Sequence, residues 1–241
     1  MNSKLNNKKS KLPFVFSNFA ITADGKIAFA GREFVPFGSK HDRENMMALR
    51  ATADAVMSGA RTVETPGVTL GPGGRKYQRL RLARGLSEYN LRVIISGSGS
   101  INLRADIFKQ RFSPIIVLTT ERVPEKQLRQ LRSVADEVKV FGETEVDFDA
   151  ALLWLREQWK VKRLLCEGGG AVHGAMVRAG LIDELHLTMC PKIFGGNTAP
   201  TIADAKVADT LAEAAQFKLK SAKRIGDELF VIFSAVKKRH F

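Results

Sequence analysis

Short apolar runs alternate with segments of helical spacing from about residue 12 to residue 236. Residues 12–21 are rich in Phe, Val and Ile and predict a buried strand, ended by the turn residues Asp24 and Gly25. Ser39 is placed to cap a helix that carries Met46, Met47 and Leu49 toward the core, and residues 53–59 predict a second short strand. Residues 65–75 hold too many glycines and prolines for either regular state and predict a long loop, of the kind that is often functional in a compact domain. Strand-like runs return at residues 91–96, 115–119 and 137–141, separated by helical periodicity such as that at 124–132 and 148–158. This alternation predicts an α/β protein built on parallel strands. Residues 161–166 form another apolar run that ends in glycines and is followed by a helix-like stretch at 171–179. Strand signals at 181–191, 216–222 and 228–236 close the chain, the last two suiting an antiparallel pair joined around Gly226 and Asp227. With no repeat and no linker, residues 12–241 read as one domain behind a flexible basic tail at 1–11.

Composition narrows the class. At 241 residues, 44% hydrophobic and 26% charged, the chain resembles an ordinary globular domain rather than a disordered or fibrous one. It has no apolar run long enough to span a bilayer and no apolar stretch behind its basic N-terminus, so a cytoplasmic protein without membrane partners is expected. Two cysteines, Cys166 and Cys190, support neither a disulfide framework nor Cys-x-x-Cys metal spacing, and no metal is expected. The net charge of +13 suggests a polyanion partner, but its distribution opposes that reading. Lys4, Lys8, Lys9 and Lys11 lie in one tail and Lys237, Lys238 and Arg239 in the other, while Arg75, Lys76, Arg79, Arg81 and Arg84 cluster internally. The rest is nearly neutral, and nucleic acid is not an expected partner.

The most informative local chemistry is the glycine cluster Gly168, Gly169 and Gly170 at the end of a strand. A strand that turns through glycines into a helix presents backbone N–H groups at a helix N-terminus, where a phosphate is favoured. A tight strand-to-helix turn with no ligand remains the alternative. A second pair, Gly195 and Gly196, follows another strand, and two such parallel strands side by side would mark the ligand edge of an open sheet. Glu167 either orients a substrate or pairs with a nearby cation. Asp24 reads by spacing as a plain turn residue. Arg50 either completes a helix C-terminus or faces an anionic ligand. Asp183 and Glu184 mark a strand start on the surface. The histidines show neither metal nor triad spacing.

Taken together, five blocks of sequence resemble the reductase domain of the riboflavin-biosynthesis deaminase/reductase and its stand-alone relatives. They are residues 18–28, 49–62, 164–170, 180–187 and 191–196. No zinc-deaminase signature accompanies them. The resemblance implies a dihydrofolate-reductase-like fold, with a mostly parallel central sheet, helices on both faces and an antiparallel C-terminal strand pair. It also implies NADPH-dependent reduction of the ribosyl group of a 5-amino-6-ribosylamino-pyrimidine 5′-phosphate to ribityl, by a homodimer. Ala20, Thr62, Ser96 and the backbone of Gly169, Gly170, Ala171, Val172, His173, Gly174 and Ala175 are then expected at NADPH. Arg50, Leu70 and Glu167 are expected at the sugar phosphate, with Thr22 and Asp24 lining the site. One departure concerns the loop after Thr62, where Pro66 stands at the position the family fills with an acid and an insertion-like Gly-Pro-Gly-Gly-Arg75 follows Leu70. Arg75 is available to replace a substrate arginine that is out of register. Another carbonyl, imine or pterin-like substrate is therefore an alternative, and a polyanion-binding protein on an inactive reductase scaffold is a more distant one.

Overall fold

The computed structural model describes residues 12–31, 35–204 and 206–236. The expected N-terminal tail at 1–11 and the C-terminal basic cluster at 237–239 lie outside the described residues. Along the chain the elements are β1 (Phe14–Thr22), α1 (Lys40–Arg50), β2 (Ala55–Gly59), α2 (Ala60–Val63), α3 (Arg75–Leu82), β3 (Leu91–Ile95), α4 (Asp106–Lys109) and β4 (Ile115–Thr119). They continue as α5 (Glu125–Arg132), β5 (Glu137–Val140), α6 (Phe148–Gln158), β6 (Arg163–Cys166), α7 (Gly170–Arg178), β7 (Glu184–Cys190), β8 (Phe217–Ile225) and β9 (Glu228–Ala235). The strands are mostly parallel and end in the expected antiparallel pair, with β8 and β9 joined around Gly226 and Asp227. The chain divides into two compact units. Described residues 12–14 and 50–164 form unit 1, and described residues 15–49 and 165–236 form unit 2.

In unit 1, β2 pairs with β3, β3 with β4 and β4 with β5, all parallel. Every residue of β2, β3 and β4 is buried, which is why these strands read as continuous apolar runs rather than alternating ones. Carboxylates set where strands begin. Asp54 Oδ2 accepts from the amides of Lys162 and Arg163, each at 2.8 Å, so the apolar run at 161–166 becomes strand only from Arg163. Asp136 Oδ2 accepts from Ile115 N at 2.8 Å at the foot of β4. The four-residue helices α2 and α4 are too short to leave a periodic signature, and the apolar spacing does not foreshadow them.

The internal basic cluster is not a uniform surface. Arg75, Lys76, Arg79 and Arg84 are exposed, but Arg81 is buried at 1% exposure. Its Nη1 donates to Arg50 O at 2.8 Å and Ala53 O at 2.6 Å, and its Nε to Ser87 O at 2.9 Å. Burial pulls its guanidinium below the usual arginine range. Arg92, also buried, donates to the carbonyls of Ile107 at 3.0 Å and of Ser113, and lies 4.2 Å from the centre of the Phe112 ring.

In unit 2, β1 and β7 are parallel, with Ala20 opposite Thr188 and Thr22 opposite Cys190, and β9 runs antiparallel to β7. Ser39 caps α1 as expected, its Oγ accepting from His41 N at 3.0 Å. Ser39 also ties the helix start to β9, since its N and Oγ donate to Glu228 at 2.7 and 2.5 Å. Burial pushes the neighbouring Asp42 carboxyl up, and Glu228 adds to the effect. The expected surface strand start at 183–184 is corrected: Glu184 is buried, bonded to His186 Nε2 at 2.7 Å and to Lys220 Nζ. Asp183 accepts from Val15 N at 2.9 Å, so the two acids order the starts of β7 and β1 rather than face solvent.

Two arginines of one segment should therefore behave oppositely. Arg81→Met removes the donor from three carbonyls and should cost about 2–3 kcal/mol, lowering the melting temperature by roughly 5–10 °C for a chain of this size. Arg75→Ala, at an exposed position, should stay within about 0.5 kcal/mol of wild type. Thermal melts of both variants make the comparison, and equal shifts would contradict the assignment.

Candidate functional site

The turn after β1 is built around Asp24. Thr22 Oγ1 donates to Asp24 Oδ1 at 2.5 Å and accepts from Lys26 N at 2.9 Å. Asp24 also accepts from Gly195 N at 2.8 Å and Phe194 N at 3.2 Å. The carboxylate thus ties the first turn to the second glycine pair, which neither a plain turn residue nor a ligand-lining one requires. The Thr22 hydroxyl foremost pulls Asp24 down to about 2, against the opposing effect of desolvation and with help from the Gly195 and Phe194 amides. Gly195 and Gly196 have φ of +64° and +79°, the left-handed region where glycine carries no penalty. Phe194 stacks on Phe29 with ring centres 4.0 Å apart. The two glycine-ended strands are not neighbours as expected, because β1 lies between β6 and β7. The end of β1, with half-buried Ala20 and buried Thr22, therefore occupies the position between the two glycine turns.

At the first glycine turn β6 ends at Cys166, Glu167 is half-buried and Gly168 is buried. Gly169 is the N-cap of α7 with φ +43° and ψ 147°, and no side chain caps the helix. Amide groups at such a helix start have no intrahelical acceptor, and α7 carries no acid in its first turn to compete for them. Gly170 has a different reason to be glycine. A Cβ there would lie 2.3 Å from Thr201 O and 2.7 Å from Asp204 Cγ, so the chain itself fills that space. Ala171 is exposed, Val172 and Ala175 are half-buried, and Gly174 is buried.

His173 turns its ring into the interior. Nδ1 lies 2.7 Å from Ile202 O and Nε2 3.0 Å from Ser17 Oγ, with the ring edge-on to Phe19 at 4.7 Å. A carbonyl only accepts, so Nδ1 carries the proton and Nε2 accepts from the Ser17 hydroxyl. Burial lowers the pKa, against the opposing Ile202 hydrogen bond, and keeps this neutral form. Any ligand contact at residue 173 falls to its backbone.

Arg50, Thr62, Leu70 and Ser96 belong to unit 1. Arg50 ends α1 and is buried, with Nη1 donating to Gly71 O at 2.7 Å. Leu70 has φ +55°, unusual for a residue with a Cβ, and the residue as a whole is 1% exposed. Its carbonyl accepts from Asn90 Nδ2 at 2.8 Å. A Cβ on Gly71 would lie 2.6 Å from the Phe112 ring. The expected loop at 65–75 is present up to Gly74. It is pinned by Asp106 Oδ2 on Gly67 N at 2.8 Å, and Arg75 already starts α3. Thr62 is half-buried in α2. Ser96 follows β3, its N donating to Leu118 O at 3.0 Å and its O accepting from Thr119 Oγ1 at 2.6 Å. Asn90 and Phe112 carry no sequence signal that connects them with the loop. Among the described residues, no group of three or more His, Cys, Asp or Glu could hold a metal ion.

Strands ending in glycine turns, one of them opening a helix without a side-chain cap, belong to an α/β protein on a mostly parallel sheet. Residues 13–231 match the RibD C-terminal domain, and the chain belongs to that family of riboflavin-biosynthesis reductases. It is 31% identical over 194 residues to the 2,5-diamino-6-ribosylamino-4(3H)-pyrimidinone 5′-phosphate reductase of Archaeoglobus fulgidus, covering 80% of this chain and 87% of the relative. A pyrimidine reductase-like protein from Corynebacterium diphtheriae superposes with a TM-score of 0.78 at 20% identity, over 94% of this chain and 93% of the other. The Acinetobacter baumannii RibD structure gives 0.72 at 20% identity, over 98% of this chain and 63% of the longer protein. The dihydrofolate-reductase-like architecture inferred from the sequence is the one found.

The Asp24 tie has a pH signature. Because its folded value lies below the ordinary 3.8, the tie is intact at neutral pH and is lost as pH falls from about 4 through about 2. The Gly195 amide resonance should titrate with its midpoint near 2, whereas a midpoint near 3.8 would show that the carboxylate is not held.

Proposed function

We propose that the chain uses NADPH to reduce the ribosyl group of a ribosylamino-pyrimidine 5′-phosphate to ribityl. The reading is carried by the uncapped left-handed glycine turn at Gly169 in a chain of this family. The turn fits a pyrophosphate: the N-terminus of α7 offers amide donors, and its first turn carries no acid of its own to repel an anion. Gly168, Gly169, Gly170 and the start of α7 hold the phosphates of the cofactor, with Ala20, Thr62, Ser96 and the Gly195 turn assigned to the remainder by resemblance. When bound, the nicotinamide supplies a hydride. The protein's own part is placement. Arg50 offers a cation to the substrate phosphate, Leu70 its backbone, and Glu167 an acceptor for sugar hydroxyls. Positioning and exclusion of water account for much of the catalysis expected of such a site.

The working form is a homodimer. Met189 and Leu229, which pair across β7 and β9, are 36% and 39% exposed, and Leu219 on β8 is 62% exposed. These apolar side chains suit a second copy of the chain. A cytoplasmic setting agrees with two free, buried cysteines whose thiols are pushed up to about 12, foremost by burial.

Purified protein should oxidise NADPH in the presence of the ribosylamino-pyrimidine phosphate, read at the NADPH absorbance band, and should turn over NADH more slowly. Oxidation only with some other carbonyl or pterin-like compound would instead credit the altered 65–75 loop with a different substrate. Ala171→Glu tests the phosphate cradle directly. An acid in the first turn of α7 should stabilise the apo protein by about 0.3–1 kcal/mol through the helix dipole. The same acid should weaken NADPH binding by about tenfold or more. Unchanged affinity would remove the cradle from the proposal.

A further inference from the structure

Leu70 holds a conformation that its own side chain disfavours. A leucine at φ +55° persists only where its surroundings over-determine it. Three contacts surround it within unit 1. Arg50 Nη1 takes the carbonyl of Gly71 at 2.7 Å, the Phe112 ring closes against Gly71, and Asn90 Nδ2 takes the carbonyl of Leu70 at 2.8 Å. Of these three, Asn90 is the one that bonds to Leu70 itself.

Asn90 is fully buried, and its Nδ2 also donates to Leu91 O at 3.1 Å. Both partners are carbonyls, which fixes the orientation of the amide. Its Oδ1 has no hydrogen-bond partner among the described residues. An apolar residue could fill this space without burying an unpaired oxygen. What the amide adds is the donor that reaches across twenty residues to Leu70.

We infer that Asn90 is a positioning residue for the substrate loop: by holding the Leu70 carbonyl it keeps Leu70 left-handed, and so sets affinity for the phosphorylated substrate without touching the chemical step. This rests on the reading of Leu70 as part of the substrate site. Leu70 is buried as a whole residue, so its conformation acts on a ligand through the course it sets for the rest of the loop.

The test has two arms. The first needs no substrate. In Asn90→Ala, hydrogen exchange over residues 64–74 should quicken while that of β2, β3 and β4 stays as in wild type. Unchanged loop exchange overturns the inference. The second arm is kinetic. Asn90→Ala should raise the KM for the ribosylamino-pyrimidine phosphate by about tenfold, with kcat and the Kd for NADPH within about threefold of wild type. A fall in kcat with KM unchanged overturns it. In a Leu70→Gly background, where glycine adopts positive φ freely, the effect of Asn90→Ala on KM should shrink to about twofold. A merely structural Asn90 would give the same fold-change in both backgrounds. If Asn90→Ala does not fold, Asn90→Gln, which displaces the amide by one methylene, carries the same expectations. Absence of turnover in the wild type would defeat the proposed substrate, while the exchange arm would still decide whether Asn90 holds the loop.

Discussion

A backbone carbonyl inside a compact unit must meet a donor, and in an irregular segment the sheet ladder cannot supply it. Unit 1 meets this constraint with buried side chains. Arg81 serves three carbonyls, Arg92 two, and Arg50 and Asn90 serve Gly71 and Leu70 in succession. The loop between α2 and α3 is therefore a held structure despite its glycines and prolines. This is also why part of the basic surplus is not a surface field. Arg92 is drawn down to about 10, burial being the main cause and Arg111 a further one, against the opposing charge of Asp136.

Elsewhere carboxylates perform the converse task, accepting from amides that the ladder leaves unpaired. Asp54 and Asp136 do so at strand starts in unit 1, and Asp183, Glu228 and Asp24 at turns and element ends in unit 2. Asp24 gains stabilisation from the ionised form and so loses it in acid. Glu184 follows the same direction: burial opposes ionisation there, but the hydrogen bonds from Lys220 and His186 outweigh it. Asp42 runs the other way, because the Thr188 hydroxyl does not outweigh the desolvation of its carboxyl, to which the Glu228 charge adds.

The regular elements were largely legible because parallel strands buried on both faces, such as β4 at Ile115–Thr119, appear as unbroken apolar runs. Helix α6, Phe148–Gln158, was equally clear from its spacing. Strand order was not: two similar glycine-ended strands suggested neighbours, and nothing in their composition reveals that β1 intervenes. Gly169 could be read as a helix-opening turn from its local sequence alone. The role of Asp24 could not, since its partners Phe194 and Gly195 lie about 170 residues away. Likewise, the sign of φ at a leucine leaves no trace in composition, and the need for a donor such as Asn90 stays hidden until the fold brings the two together. That residue 170 is a glycine is explained by the Thr201 carbonyl, which leaves its backbone, not its missing side chain, as its contribution to the proposed cradle.

The central claim is that this family member delivers hydride to the ribosyl carbon of a pyrimidine ribotide. Turnover with NADPH carrying deuterium at both C4 positions of the nicotinamide, followed by mass spectrometry and NMR of the isolated product, tests it most directly. The account predicts a ribityl product carrying one deuterium at C1′. A ribityl product without deuterium, or a label at any other carbon, would contradict it.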